Sequence, residues 1–365
     1  MLPLYFKNKA KRLSPVLYDV FVRNIKYRKA TGIVMPCHYR GLFIRSDGVL
    51  FPCCDVCNVE ALRIAHIDDD ALFEKIKSYD KVCSCDHYKL RVGYENEAPK
   101  YRLLNIEVSL VCQAICAMCC VNAPDSKGKY DYYSSLMKVV KKIKPEIVLL
   151  QGGEVLIQEK TYRWVDQLKD ESPDVKVYAL TNGNISCDKI ENVEKGYERL
   201  YVSFVGFQPE TYRAIMGISI DKTISFVERL IERGKVQVYL KYLVTPVNAH
   251  EAELFFSWAI NIKARRINFD GAVNEKYIVR GTSDNYWSKI YKRSAVKLKL
   301  SIISNKKVMK RVGMVVLFTP EIMRLFDITK EFIESNDLVG IIVDRSRSRL
   351  FCAGECENYH NWPED

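Results

Sequence analysis

The chain has 365 residues, of which 48% are hydrophobic and 28% are charged, and its formal net charge at pH 7 is +11. A mean hydropathy of −0.14, without an apolar run of about 18 residues, excludes a transmembrane segment. A chain of this length and composition can bury one large core and a smaller satellite domain.

Cysteine usage indicates the compartment. The chain has 13 cysteines, and its basic N-terminus lacks the sustained apolar stretch and small-residue cleavage site of a secretory signal. These features predict a cytoplasmic protein. Because a reducing cytoplasm keeps thiols free, we expect the clustered cysteines to ligate metal and not to form disulfides.

The N-terminal segment is strongly basic. Residues 1–30 contain eight Lys and Arg residues and a single acidic residue, Asp19. Such a surface would attract an anionic partner, but a solvated helix face that aids solubility is the favoured interpretation of this composition. No basic stretch is interleaved with aromatic residues, so nucleic acid is not the expected partner.

The first pattern with chemical content is a hairpin flanked by cysteines. Asp47-Gly48 lies between two apolar runs, which predicts a β-hairpin. Folding at this turn brings the residues before the first strand close to those after the second. Cys37 and Cys53 can therefore share a metal. A zinc site and plain thiols are the alternatives.

A second group of cysteines follows an alternating apolar segment that begins at Asn105. Cys112, Cys116 and Cys119 are separated by three and two residues. Three thiolates from such a loop can hold an iron–sulfur cube and leave one of its four irons without a protein ligand. Zinc or buried thiols would also suit the three cysteines alone. Cys120 is adjacent to Cys119, so its side chain is expected to point away.

Three further motifs follow predicted strands in order. They are Gly152-Gly153-Glu154, Thr181-Asn182-Gly183, and a Ser-x-x-Gly-x-x-Pro-Glu segment from Ser203 to Glu210. Glycines at a strand end let the backbone approach a ligand closely.

Together, the Cys-x3-Cys-x2-Cys spacing and these three motifs resemble the radical S-adenosylmethionine (SAM) superfamily. The resemblance implies that Cys112, Cys116 and Cys119 bind a four-iron, four-sulfur (4Fe-4S) cluster whose open iron is chelated by SAM. It implies an enzyme that cleaves SAM reductively to a 5′-deoxyadenosyl radical, which abstracts hydrogen from a substrate. A reductant such as flavodoxin or ferredoxin would supply the electron.

The resemblance also assigns contacts to SAM. Gly152, Gly153 and Glu154 would hold the methionine amine, and Asn182 and Ser203 are candidates for the ribose or the carboxylate.

Three more residues are candidates around the same site. Lys241, on a predicted strand over 236–244, could pair with the SAM carboxylate or could simply be a surface or packing lysine. Met118 stands where many relatives carry an aromatic residue beside the adenine. Cys187 is a candidate catalytic hydrogen donor should the reaction be an epimerisation.

The N-terminal cysteines resemble the opening of the SPASM or twitch domain, an auxiliary-cluster module that in most relatives follows the barrel. In this chain it precedes the barrel, and one or two auxiliary iron–sulfur clusters are implied. The candidate ligands are Cys37, Cys53, Cys57, Cys83, Cys85, Cys352 and Cys356. Cys83 and Cys85 are spaced more closely than the usual Cys-x2-Cys pair.

Strands and helices alternate from Leu103 to about Asp270, which predicts parallel strands with right-handed crossovers. Six such units give a partial (β/α)6, TIM-like barrel, whose chemistry lies at the C-terminal ends of the strands. The predicted organisation is an N-terminal helix and auxiliary-cluster domain over 1–100, the α/β core over 101–270, and an α+β extension over 271–365.

The favoured function is that of a radical SAM enzyme that modifies a peptide through a cross-link, a thioether or another oxidative change. One alternative is a radical SAM enzyme acting on a small molecule such as a sugar or a nucleotide-linked glycan. The other is a non-catalytic iron–sulfur or zinc protein, against which the Gly-Gly-Glu and Thr-Asn-Gly motifs argue.

Overall fold

In a computed structural model of the protein, the described residues are 33–34, 41–52, 57, 59–79, 92–93, 103–119, 123, 132–271, 285–336 and 339–340. Several candidate ligands lie outside these ranges, namely Cys37, Cys53, Cys83, Cys85, Cys352 and Cys356. The basic N-terminal segment and Cys120 also lie outside them.

The described strands form an 11-stranded sheet and a separate antiparallel pair. The pair consists of β1 (Ile33–Val34) and β5 (Val92–Gly93). The large sheet contains β2 (Gly41–Ile44), β3 (Val49–Phe51), β4 (Ala65–His66), β6 (Leu103–Ser109), β7 (Ile147–Gly152), β8 (Lys176–Thr181), β9 (Arg199–Phe204), β10 (Gln237–Val244), β11 (Arg266–Gly271), β12 (Val315–Phe318) and β13 (Val339–Gly340).

The strands from β6 to β13 are parallel and follow chain order in the sheet. The six predicted strands and the α/β class are confirmed, and the parallel sheet continues beyond Gly271 through β12 and β13. A further helix, α1 (Leu72–Lys77), precedes these strands. The helices in the crossovers are α2 (Tyr133–Ile143), α3 (Glu159–Glu171), α4 (Ile190–Gly196), α5 (Pro209–Met216), α6 (Ile220–Arg233), α7 (Ala252–Asn261), α8 (Asn285–Val312), α9 (Pro320–Leu325) and α10 (Lys330–Ser335).

The predicted hairpin at Asp47-Gly48 is present. Strands β2 and β3 pair antiparallel, and Gly48 takes a left-handed φ of 81° in the turn. On its other side β2 pairs in parallel with β6. The hairpin therefore extends the sheet of the barrel. The strands on either side of the predicted domain boundary near residue 100 belong to the same sheet.

The two faces of the sheet differ in chemistry. The outer face packs against the helices through a core rich in aromatic side chains, in which Tyr242 and Phe255 have ring centroids 4.7 Å apart. The inner face carries Tyr178, Tyr201 and Tyr239 in its N-terminal half. The Arg199 guanidinium lies 4.4 Å from the Tyr178 ring centroid and 4.5 Å from that of Tyr239.

These aromatic and guanidinium groups occupy the N-terminal half of the inner face and attract one another as cation–π pairs. Polar side chains occupy the C-terminal half of the same face, including Glu107, Gln151, Ser203, Lys241 and Asp270. The interior is therefore polar at the end where the sequence motifs lie. No helix in the described part of the chain has the length and apolar character needed to cross a bilayer.

Candidate active site

The Gly-Gly-Glu motif forms the turn after β7 and holds the start of the cysteine loop, defined as residues 110–119. The amides of Gly153 and Glu154 donate to the carbonyls of Ser109 and Val111 at 2.7 and 2.8 Å. A Cβ on Gly152 would lie 2.2 Å from the Ser109 oxygen, and one on Gly153 would lie 2.1 Å from the Val111 oxygen. Only glycine permits this approach, so the pair fixes where the loop begins.

The middle of the cysteine loop is bound to the C-terminus of α5. The amides of Ile115 and Ala117 donate to the last carbonyls of that helix, those of Met216 and Ile215, both at 2.9 Å. These carbonyls have no partner within their own helix, so the loop supplies the hydrogen bonds that the helix end requires. Gly217 ends the helix with a φ of 71°, and a Cβ there would lie 2.2 Å from Cγ1 of Ile115.

The Thr-Asn-Gly turn after β8 makes the third attachment. The side-chain nitrogen Nε2 of Gln113 donates to Oδ1 of Asn182 and to the carbonyl of Asn184, both at 3.2 Å. Nδ2 of Asn182 in turn donates to the sulfur of Cys112 at 3.9 Å. The loop is thus positioned by the ends of three neighbouring strand–helix units. The sequence had not singled out Gln113, although it directly follows the first cysteine.

Cys112, Cys116 and Cys119 are all partly buried and form no disulfide. Burial, together with the neighbouring thiols of Cys112 and Cys119, raises the pKa of Cys116 to about 12. The pKa of Cys112 is also raised, chiefly by burial. A bound metal would displace these protons, because thiolates are the ligating form. Backbone amides of Ala114 and Ala123 lie 3.4 Å from the sulfurs of Cys112 and Cys119 and can stabilise thiolate there.

The donor set is chemically suited to an iron–sulfur cluster. Among the described residues, no three His, Cys, Asp or Glu side chains surround one point closely enough to ligate a single metal. In a cube of four irons each thiolate binds a different iron, so three ligands need not converge on one atom. Three soft donors on a loop fixed from three sides match that requirement.

Glu154 connects two of the motifs. Its carboxylate is fully buried and accepts hydrogen bonds from the Leu156 amide at 3.0 Å, the Thr181 hydroxyl at 2.6 Å and the Asn182 amide at 2.7 Å. Burial raises the pKa of Glu154, and the three donors oppose that shift. Because its side chain faces the protein, a ligand amine would meet this motif through backbone carbonyls. The sequence-based assignment of Glu154 to the methionine amine stays a prediction.

We expect Glu154→Gln to lower the free energy of unfolding by about 1–3 kcal/mol. An amide NH2 in place of one carboxylate oxygen would face a protein donor, whichever way the side chain is turned. Chemical denaturation of the full chain measures the effect. Glu232→Gln, on the exposed face of α6, is the matched control and should change stability by less than about 0.5 kcal/mol. Equal stability of the two variants would contradict a structural role for the buried carboxylate.

Strand register brings Ser203 and Lys241 side by side on the inner face. Lys241 forms an ion pair with Asp270 at 3.0 Å, and both side chains are mostly buried. The sequence missed Asp270, although it stands at a strand end like the recognised motifs. On the other side of the interior, Glu107 accepts from the Ser46 amide at 3.0 Å, and burial raises its pKa. Ser203 and Lys241 as SAM contacts stay predictions.

The remaining candidates make none of these hydrogen bonds. Met118 is buried in the hydrophobic core, and Cys187 begins a short 3-10 helix, Cys187–Lys189, and packs against that core. The carbonyl of Cys57 accepts from the Arg45 guanidinium at 2.9 Å, near the hairpin turn.

Comparison with known proteins gives one family match. Residues 106–259 match the model of the Radical SAM superfamily. That range begins in β6, ends in α7 and contains the cysteine loop and all three strand-end motifs. No curated protein sequence matches the chain.

Solved structures give distant similarities. SuiB of Streptococcus suis bound to its precursor peptide SuiA has a TM-score of 0.48 at 13% identity, over 72% of this chain and 64% of SuiB. SuiB bound to SAM has a TM-score of 0.45 at 15% identity, over 56% of this chain and 45% of SuiB. Native anSMEcpe with bound AdoMet has a TM-score of 0.46 at 16% identity, over 58% of this chain and 62% of that one. This chain thus spans less than two thirds of the length of these structures, and similarities this low support no conclusion about its activity.

Proposed function

Because the chain is a member of the radical SAM superfamily, with its domain over residues 106–259, we propose that it is an enzyme that cleaves SAM. Cys112, Cys116 and Cys119 would hold a 4Fe-4S cluster, with SAM bound beside the turn after β7. The chemistry supplied there would be one-electron reduction of SAM and hydrogen abstraction from the substrate by a deoxyadenosyl radical.

The observation that carries this proposal is the three-sided attachment of the cysteine loop. Its backbone is hydrogen-bonded to the turn after β7 and to the C-terminus of α5, and the side chain of Gln113 is hydrogen-bonded to the turn after β8. A zinc loop or a set of buried thiols has no need for a loop joined to the ends of three successive units. Holding three donors before the metal arrives lowers the cost of ordering them.

The interior of the sheet supports a reaction that must be enclosed. The tyrosine and arginine side chains fill the N-terminal half of the inner face, so a substrate would enter from the end that carries the cysteine loop. Holding the reacting groups together there would also keep competing molecules away from a radical. Ser203, Lys241 and Asp270 would line the substrate side of this space.

For the substrate we propose a peptide that is modified oxidatively, through a cross-link or a thioether. The formal net charge of the chain, +11 at pH 7, supports an acidic peptide partner. SuiB is itself recorded with a precursor peptide, but its similarity to this chain is too low to add weight. A sugar or nucleotide-linked glycan is the alternative substrate.

Auxiliary clusters belong to the same proposal. Cys37, Cys53, Cys83 and Cys85, with Cys352 and Cys356, would bind one or two further iron–sulfur clusters that accept the electron left on the substrate. The thiolate ligands and a reductant such as flavodoxin or ferredoxin both suit the predicted cytoplasmic location.

The test is SAM cleavage by the full chain. The protein is reconstituted with iron and sulfide without oxygen, reduced with dithionite and assayed for 5′-deoxyadenosine by mass spectrometry. We expect 5′-deoxyadenosine from the reconstituted protein and none from protein stripped with a chelator. A protein that carries iron but releases no 5′-deoxyadenosine would be a non-catalytic iron–sulfur protein. Co-expression with short peptides encoded beside the gene would then separate peptide from small-molecule substrates.

A further inference from the structure

Helix α8 is the longest described helix and carries charge of one sign only. Its 28 residues include nine Lys and Arg residues and no Asp or Glu. A helix with one sign of charge gains nothing from internal ion pairs, so this composition stabilises neither the helix nor its neighbours by itself. It favours an anionic partner outside the helix.

One face of α8 is fixed to the protein. Tyr291, Leu298 and Ile302 are buried in the main hydrophobic core. Ser301 has its hydroxyl 3.4 Å from that of Ser257 on α7. These contacts set the rotation of the helix, so the opposite face is held in place before any partner binds.

The opposite face carries large apolar side chains in the open. Val296, Leu300 and Ile303 are 57%, 59% and 52% exposed. Their spacing of four and three residues puts them on one side of the helix. We call these three residues the apolar stripe.

Basic residues border the apolar stripe on α8. At about 100° per residue, Lys292 and Lys310 lie on one flank and Lys297 on the other, while Arg293 and Lys307 prolong the stripe at its ends. All five are exposed, and none takes part in an ion pair within the described part of the chain. Lys299 and Lys306 are different, because they donate to the backbone of Asp327 and Ser335.

We infer that the apolar stripe and its basic border bind the surface of an anionic lipid bilayer. An interfacial helix combines this apolar centre with flanking cations, whose long side chains reach the headgroups while their stems cover apolar surface. Nucleic acid would neutralise the cations but leave three aliphatic side chains in water. Because α8 is not apolar enough to cross a bilayer, it would lie flat against one.

The fold sets the orientation of the bilayer relative to the strands. Helix α8 returns from the C-terminal end of β11 to the start of β12, which is parallel to β11, so it runs antiparallel to the strands. The bilayer would therefore lie beside the barrel and leave the end with the cysteine loop accessible. This inference does not depend on the proposed chemistry.

Vesicle binding by the full-length protein tests the inference. The vesicles are phosphatidylcholine with about 30% phosphatidylglycerol, compared with pure phosphatidylcholine. We expect binding to the anionic vesicles that falls about 100-fold in a Lys292→Gln, Arg293→Gln, Lys297→Gln variant, at about fivefold for each cation removed. A Val296→Ser, Leu300→Ser, Ile303→Ser variant should lose at least about tenfold.

The matched control removes three exposed cations elsewhere, through Lys176→Gln, Lys222→Gln and Arg229→Gln. This control should bind nearly as well as the unchanged protein, and thermal unfolding should confirm that every variant folds. The inference is overturned if the unchanged protein ignores anionic vesicles or if the control loses as much binding as the α8 variants. It is also overturned if the Val296→Ser, Leu300→Ser, Ile303→Ser variant binds the vesicles normally, which is the result expected for an acidic polypeptide partner. It is likewise overturned if the only effect of this variant is to convert a dimer of the protein to a monomer.

Discussion

Cys116→Ser is expected to reduce SAM cleavage to below about 1% of the unchanged enzyme, since even losing a supporting contact costs a metal site 10–100-fold in affinity. The pKa of Cys116 is raised to about 12, because the thiol is buried and has two thiol neighbours. Binding therefore requires metal to displace its proton, and a serine hydroxyl is a harder and less acidic ligand. The readouts are 5′-deoxyadenosine and the SAM-dependent change in the electron paramagnetic resonance spectrum.

Cys120→Ser is the matched control, because it makes the same chemical change four residues along the chain, outside the three-cysteine motif. It should keep SAM cleavage within about twofold of the unchanged enzyme if its thiol is only structural. Iron held at auxiliary sites would survive in both variants, which is why total iron is not the deciding measurement. Loss of cleavage in Cys120→Ser with retention in Cys116→Ser would show that the motif has been assigned to the wrong thiols.

Gly153→Ala should lower iron incorporation at the cysteine loop by at least about tenfold. The added Cβ would lie 2.1 Å from the Val111 oxygen and 2.7 Å from the Leu110 carbonyl carbon. Both are backbone atoms that cannot move without shifting the start of the loop. The hydrogen bond from the Glu154 amide to Val111 at 2.8 Å would be broken by the same shift. Absorbance of the reconstituted cluster and 5′-deoxyadenosine formation measure the loss.

Gly313→Ala separates this effect from the general cost of replacing a glycine. Gly313 has a φ of 64°, and a Cβ there meets nothing within 4 Å. The substitution strains the backbone by about 1 kcal/mol but is far from the loop in the chain. We expect lower stability with full cluster content. If Gly153→Ala also kept full cluster content, the close approach at the turn would not be what positions the cysteine loop.

The sequence was most informative about elements whose evidence is local. Apolar periodicity indicates the six strands from β6 to β11. The motifs can be recognised because their cysteines and glycines come directly after those strands in the chain. The hairpin at Asp47-Gly48 follows from two adjacent residues. In each case the relevant residues lie within a few positions of each other, so chain connectivity carries the inference.

The attachments of the cysteine loop could not be found this way. Gln113 reaches Asn182 across 69 residues of sequence. The carbonyls of Ile215 and Met216 receive the loop only because α5 ends beside it. Nothing in the composition of these segments distinguishes a helix end that binds a loop from one that meets water.

Glu154 shows the same limit for a single residue. Its place in the motif assigned it to the methionine amine of SAM, which stays a prediction, but only the structure shows that its carboxylate accepts hydrogen bonds from three protein donors. The pairing of Lys241 with Asp270 and the parallel position of β12 beside β11 likewise depend on register between separate strands.

The sequence alone therefore indicated the resemblance to the superfamily, the α/β alternation and the cysteine spacing, because each follows from patterns among neighbouring residues. Tertiary structure decided which groups hold the cysteine loop, which way Glu154 faces and which side of α8 is left in the open. Those outcomes depend on long-range packing and strand register, in which distant segments compete for the same space and the same hydrogen-bond partners.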